Sequence, residues 1–165
     1  MMAMDMGLTC DTCGEKITSP EQGLIEWYIP NDEHGIRRCV NLRLVHIKSA
    51  SPLTRIKYKT KGCTFDLREE FLAPEGTAES RPLSEFLGPD GLMRLLSFIG
   101  NGEFPAVEVI KMIKRLNVPG YETARHYFRR AIIEGAIPAE VSQDYPEQKD
   151  INAVLEWIEQ KRKTA

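Results

Sequence analysis

Apolar and polar positions follow two different periods along this chain. In the first half the period is two, and the segment 24–29 is rich in Ile, Trp and Tyr. Over 40–46, every second position is taken by Val40, Leu42, Leu44 and His46. Such alternation predicts β-strands with one face against a core. It returns over 55–61, where a strand would carry four cations on one face, namely Arg55, Lys57, Lys59 and Lys61.

In the second half the period approaches the 3.6 residues of a helix. Asp90 can cap a first helix, Pro105 can begin a second because its missing N–H is not needed there, and Gly135 can end a third. Apolar residues also recur at helical spacing near the end of the chain. The predicted helices cover 90–99, 105–117, 121–134 and 148–161.

The two patterns are separated by turn-forming and polar residues, which predict a linker over 73–81. The expected fold class is therefore α+β. A small, antiparallel, β-rich module would occupy residues 1–72, and a helical domain of three or four helices would occupy residues 82–165. The two parts could also pack into one α+β core.

The cysteines indicate a metal site. All four fall within the first 63 residues, at Cys10, Cys13, Cys39 and Cys63. In the C-x₂-C-G segment, two residues between the thiols let both sulfurs reach one ion, and Gly14 permits a tight turn. A disulfide framework is less favoured because no secretion signal begins the chain. A thioredoxin-like redox pair would need a strand and a helix around the motif, whereas residues 15–29 read as turn and strand.

Two further ligands are needed to close a structural zinc site, and the candidates are His34, Cys39, His46 and Cys63. Cys63 follows Gly62, which suits a second knuckle with a single ligand. His46 is preferred over Cys39 because it shares its predicted strand face with apolar residues, although a β-bulge would reverse that choice. Cys39 is then expected to be an ordinary buried thiol. The predicted zinc ligands are Cys10, Cys13, His46 and Cys63.

The C-x₂-C-G segment resembles a zinc knuckle or zinc ribbon. This resemblance implies a structural Zn²⁺ that replaces part of the core a small module struggles to provide. The chain contains no H-E-x-x-H, no deaminase-type zinc motif, no phosphate-binding Gly-rich loop and no G-x-S-x-G. We therefore expect a non-enzymatic protein.

The segment 105–135 resembles a helix-turn-helix, with a turn over 117–120 and a recognition-like helix from Tyr121 to Arg130. The resemblance implies binding to DNA or RNA. Glu122, Arg125, His126 and Arg129 lie opposite the apolar stripe, so they would face outward. The expected phosphate contacts are Arg125, Arg129 and Arg130, together with Arg55, Lys57, Lys59 and Lys61 from the basic segment, which holds eight Lys or Arg and no acid over 36–61.

Charge and composition leave other functions open. The net charge of −2 gives no strong overall attraction to nucleic acid or membranes, so any such binding must be local. No apolar run is long enough to cross a bilayer, and a cytoplasmic, bacterial-type protein is expected. The same arginines could form a solvated face of an ordinary helical bundle. A protein-interaction adaptor is the alternative function, with Trp157 and the helix over 148–161 as its expected contacts.

Overall fold

The computed structural model describes residues 7–31, 38–56, 61–65 and 76–164. The chain divides into two compact units, residues 1–117 and residues 118–165. Within the described ranges, no helix has the length and apolar character that crossing a membrane requires. The first unit contains strands Leu8–Thr9 (β1), Lys16–Ile17 (β2), Gly23–Ile29 (β3), Val40–His46 (β4) and Thr77–Pro82 (β5), and helices Gly88–Gly100 (α1) and Ala106–Asn117 (α2). The α+β class is confirmed.

Strand β3 is the centre of a three-stranded antiparallel sheet in the order β4-β3-β5. Its residues 25–28 are all buried, as expected for a strand with a partner on each side. Strand β5 differs from the sequence prediction, which assigned residues 73–81 to a linker. Residues 77–82 pair with residues 24–29 of β3, from Ile29 opposite Thr77 to Leu24 opposite Pro82. The part of the predicted linker over 73–75 lies outside the described residues.

A β-bulge interrupts β4 near its beginning. Glu26 pairs with Arg43 and Tyr28 with Val40, so two steps along β3 face three steps along β4. The extra residue is accommodated at Asn41, whose φ of 59° lies in the left-handed region that Asn tolerates better than most residues. Because the bulge lies before Arg43, the register from there to His46 is regular.

Helices α1 and α2 share one core with the sheet, so the first unit is larger than the predicted module 1–72. Ile25 and Leu44 of the sheet are fully buried in the same cluster as Leu95 of α1 and Val109 of α2. Helix α2 confirms the prediction for 105–117. Helix α1 begins earlier than predicted, at Gly88, so that Asp90 lies in its first turn and does not cap it.

The basic segment does not begin as the predicted strand. Pro52–Arg55 form a 3₁₀ turn, and the Ser51 hydroxyl accepts a hydrogen bond from the N–H of Leu53 at 3.1 Å. The N–H of Leu53 is therefore bound to the Ser51 side chain and is not available for pairing with another strand. Lys57 and Lys59 lie outside the described residues.

The second unit contains helices Tyr121–Ala124 (α3), Phe128–Ile133 (α4) and Gln148–Thr164 (α5). Helix α5 confirms the prediction for 148–161 and extends it by three residues. The single helix predicted over 121–134 is wrong, because the N–H of Tyr127 bonds to the carbonyl of Ala124 at 2.8 Å in a three-residue turn. A recognition helix of the expected length is therefore absent from residues 121–134. Both short helices bury side chains against α5, in a core that includes Ala124, Phe128, Ala131, Ile151 and Val154.

Candidate metal centre

The C-x₂-C-G segment forms the turn of a short hairpin. Strands β1 and β2 pair in antiparallel register, and the chain reverses between them through residues 10–15. The N–H of Cys10 bonds to the carbonyl of Glu15 at 2.9 Å, and the N–H of Gly14 bonds to the carbonyl of Cys10 at 3.0 Å. Gly14 has a φ of +75°, as the sequence motif predicted. The hairpin thus fixes both thiols on one side of a tight turn.

A second turn, over 61–64, presents Cys63. Gly62 has a φ of +68°, and a Cβ atom added there would lie 2.9 Å from the Ser51 side chain. Glycine is therefore favoured both by the backbone and by the space. The two turns are joined because the Thr12 hydroxyl donates to the carbonyl of Cys63 at 2.7 Å.

The structure brings together all four predicted ligands. The ligand atoms of Cys10, Cys13, His46 and Cys63 lie within 4.8 Å of one another. His46 Nδ1 is 3.4 Å from Cys13 Sγ and 3.9 Å from Cys63 Sγ. In a tetrahedral zinc site, bonds of about 2.3 Å to sulfur and about 2.0 Å to nitrogen place the nitrogen about 3.5 Å from each sulfur. The four side chains are positioned to bind one metal ion.

His46 is oriented by a backbone carbonyl of the hairpin. Its Nε2 lies 3.1 Å from the carbonyl oxygen of Lys16 in β2. Because a carbonyl can only accept, Nε2 carries the hydrogen in a neutral ring, and Nδ1 presents its lone pair to the three sulfurs. This outer hydrogen bond is typical of metal-binding histidines, and it selects the tautomer that a metal needs.

Burial raises the pKa of two thiols of the cluster, so they are hard to ionise without a cation. It raises the pKa of Cys13 to about 12, with a further contribution from the neighbouring Cys10. Burial also raises the pKa of Cys63, against the opposing effect of its hydrogen bond with Ser51. A metal ion reverses this preference, because it stabilises each thiolate directly. The cluster is therefore suited to a cation, and binding one would release protons.

The knuckle is anchored to β4 and α2 by Asp11, which lies between the two cysteines. Its N–H bonds to the carbonyl of Leu44, and its Oδ2 accepts from the N–H of Leu44, each at 2.8 Å. The same oxygen accepts from Arg115 Nη1 at 2.6 Å, while Arg115 Nη2 donates to the carbonyl of Thr9 at 2.8 Å. Sequence reasoning missed this pair, because Arg115 is one of three cations in an amphipathic helix and its pattern does not distinguish it from Lys111 and Lys114.

Cys39 does not belong to the cluster. It is buried in the core of the first unit, and its N–H bonds to the carbonyl of Glu103 at 2.8 Å. This agrees with the prediction of an ordinary buried thiol. The other candidate ligand, His34, lies outside the described residues.

The cations predicted to contact nucleic acid have varied surroundings. Arg125 is bound to Glu122 through contacts of 2.7 and 3.2 Å, and Glu122 is buried where an outward-facing position was expected. Arg130 pairs with Glu134 at 2.8 Å. The side chains of Arg55, Lys61 and Arg129 are exposed. The broken helix explains the difference at Glu122, because the turn after Ala124 changes the positions that share a face.

No protein-family model, no curated protein and no solved structure matches this chain.

Proposed function

We propose that the Cys₃His cluster holds a structural zinc ion and that the protein is not an enzyme at this site. The convergence of Cys10, Cys13, His46 and Cys63 within 4.8 Å carries the proposal. Thiolates and imidazole together favour zinc over magnesium or calcium, which prefer oxygen ligands. Three cysteines and one histidine form a ligand set found in structural zinc sites.

The number of ligands supports a structural role. Catalytic zinc sites use three protein ligands and keep a fourth position for water or substrate. Here four side chains supply all four positions. Cys10, His46 and Cys63 are each at most 3% exposed, so a substrate would have little access to the ion.

The proposed ion would join three segments that are distant along the chain. Cys10 and Cys13 belong to the β1–β2 hairpin, His46 ends β4, and Cys63 belongs to the 61–64 turn. The hairpin is only two residue pairs long, which is too short to be stable alone. Zinc would hold this hairpin on the end of the sheet.

Elemental analysis of protein purified without chelator tests the proposal. We expect about one zinc per chain in the wild type, loss of the metal in Cys10→Ser, Cys63→Ser and His46→Ala, and full retention in Cys39→Ser. Cys39→Ser is the matched control because it also replaces a buried thiol. Cobalt substitution of the wild type provides a second measurement that does not depend on variants folding. A tetrahedral cobalt–thiolate spectrum is expected, whereas an octahedral spectrum or a metal-free protein would refute the proposal.

We also propose nucleic-acid binding as the wider function of the protein. The exposed cations Arg55, Lys61 and Arg129 support it, because phosphate neutralisation supplies most non-specific affinity. Fluorescence anisotropy with labelled duplex DNA and RNA at about 50 mM salt provides the test. We expect binding that weakens as salt increases. No binding at that salt, together with co-purification of a stoichiometric protein partner, would favour the adaptor alternative.

A further inference from the structure

A cleft between α4 and α5 combines cations with aromatic rings in the second unit. Its volume is about 310 Å³, at the lower end of the range of small-ligand sites, which is about 300–1,000 Å³. It is lined by Tyr127, Arg130, Trp157, Ile158, Lys161 and Arg162. The lining residues come from α5, from α4 and from Tyr127 directly before α4, so the site belongs to one folded unit.

Two cations lie near Trp157 without close contact to its ring. The guanidinium of Arg130 is 5.8 Å from the indole centroid, and the ammonium of Lys161 is 5.9 Å from it. These distances are near the outer limit of about 6 Å for a cation–π interaction. Tyr127 meets the indole edge to face, with centroids 6.4 Å apart. The indole is thus held in place, and small movements of two exposed side chains would open its face to a flat ligand.

The cleft has an excess of positive charge that a ligand could use. Glu134 is bound to Lys161 at 2.6 Å and to Arg130 at 2.8 Å, so one carboxylate serves two cations. Arg162 forms no ion pair within the described part of the chain. Three cations against one acid attract anions, and Glu134 occupies the position that an anionic group would compete for.

We propose that this cleft binds a nucleotide unit, with the base stacked on Trp157 and the phosphate bound by Arg130, Lys161 and Arg162. An aromatic platform beside cations is the arrangement by which proteins bind nucleotides without reading their sequence. The ligand could be a free mononucleotide or one residue of a single strand, since both present the same base and phosphate. The inference deepens the nucleic-acid proposal, and it does not depend on the metal centre.

The test uses the full-length, zinc-loaded protein and four probes. Calorimetric titrations with adenosine monophosphate, adenosine, inorganic phosphate and a single-stranded oligoadenylate separate base, phosphate and polymer contributions. We expect adenosine monophosphate to bind more tightly than adenosine or phosphate. Quenching of Trp157 fluorescence should accompany binding, because the base would contact the indole.

Variants locate the site. Trp157→Leu should weaken binding of adenosine monophosphate about tenfold or more, and Trp157→Phe should weaken it less because a ring remains. Lys161→Gln with Arg162→Gln should also weaken binding. Glu134→Gln should strengthen it, because the competing carboxylate is gone. Lys149→Gln is the matched control, since it removes an exposed cation from the opposite end of α5 and should change nothing.

The outcomes distinguish this inference from the wider proposal. Binding of the oligonucleotide that is unaffected by Trp157→Leu and by Glu134→Gln would overturn the inference and leave nucleic-acid binding in place. Binding of adenosine monophosphate without binding of the oligonucleotide or of duplex nucleic acid would support the inference and refute the wider proposal. Equal affinity for phosphate and adenosine monophosphate would also overturn the inference, because the indole would then contribute nothing. Far-ultraviolet circular dichroism of each variant confirms that its helices remain intact.

Discussion

Asp11 and Arg115 form an ion pair whose two side chains differ in burial. Replacing one or the other should therefore change the free energy of unfolding by different amounts. The side chain of Arg115 is 2% exposed, whereas that of Asp11 is 24% exposed. Replacing Asp11 with Ala would leave a guanidinium deep in the first unit without this carboxylate. Replacing Arg115 with Met would leave a carboxylate that water can reach and that still accepts from the N–H of Leu44.

The expected effects on the free energy of unfolding follow from this asymmetry. Removing one partner of a buried pair costs about 3–5 kcal/mol when the remaining charge stays buried, which applies to Asp11→Ala. Losing hydrogen bonds to a charged group costs about 1.5–3 kcal/mol, which applies to Arg115→Met. The double variant has neither charge. It should therefore be more stable than Asp11→Ala alone, because the unpaired buried guanidinium is gone, and the effects of the two single variants should not add.

Urea unfolding monitored by Trp27 fluorescence measures these values, because Trp27 is buried in the first unit. The background is Trp157→Phe, so that only one of the two tryptophans remains. Excess zinc and a metal analysis of each variant separate this effect from metal loss. Arg81→Met is the control, since its pair with Glu85 is long and half-exposed and should contribute less than about 1 kcal/mol. A double variant less stable than Asp11→Ala would refute the reasoning.

Three further predictions concern the metal centre and the turns. Ser51→Ala should lower the affinity for zinc about 10- to 100-fold, because the Ser51 hydroxyl lies 2.9 Å from the sulfur of Cys63. Competition with a chelator measures this affinity, and an unchanged value would contradict the prediction. Gly120→Ala should destabilise the second unit by about 1–2 kcal/mol because its φ is +75°, as measured by urea unfolding followed by Trp157 fluorescence. Gly100→Ala, whose added Cβ would meet nothing within 4 Å, should be neutral or slightly stabilising for the first unit, as measured by urea unfolding followed by Trp27 fluorescence. Removing zinc with a chelator should lower the urea midpoint reported by Trp27 and leave that reported by Trp157 unchanged; equal shifts would show that the metal stabilises both units.

The candidate site could be predicted from sequence because its chemistry is rare and its turns are local. Local sequence specifies both turns: two residues separate Cys10 from Cys13, and a glycine precedes Cys63. Predicting either turn requires no knowledge of distant parts of the chain. The choice of His46 needed only a regular strand next to it. The bulge that could have reversed this choice lies before Arg43, so the alternation near His46 remained informative.

Features that depend on tertiary contacts could not be predicted. Strand β5 has no apolar alternation, because it lies at the edge of the sheet and its side chains are mostly exposed. It is a strand because of its backbone hydrogen bonds to β3, and the pattern of its side chains does not indicate these bonds.

The interruption of the predicted helix over 121–134 could not be predicted from the sequence for a different reason. Tyr121, Ala124, Phe128 and Ala131 remain buried on one side, so the apolar period continues through the turn. Periodicity reports which side chains face the core, and it does not report whether the backbone hydrogen bonds between them are helical.

The wide spacing of the groups around the metal centre has a consequence for the order in which the protein can be assembled. Cys13 and His46 are 33 residues apart, Thr12 and Cys63 are 51 apart, and Asp11 is 104 residues from Arg115. During synthesis from the N-terminus, at about 5–20 residues per second, the knuckle is complete seconds before Arg115 is made. We expect the nascent chain to present two thiols first, then the imidazole and the third thiol, and to gain its salt bridge last. A cell that supplies zinc slowly would therefore allow α2 to dock before the ion is bound.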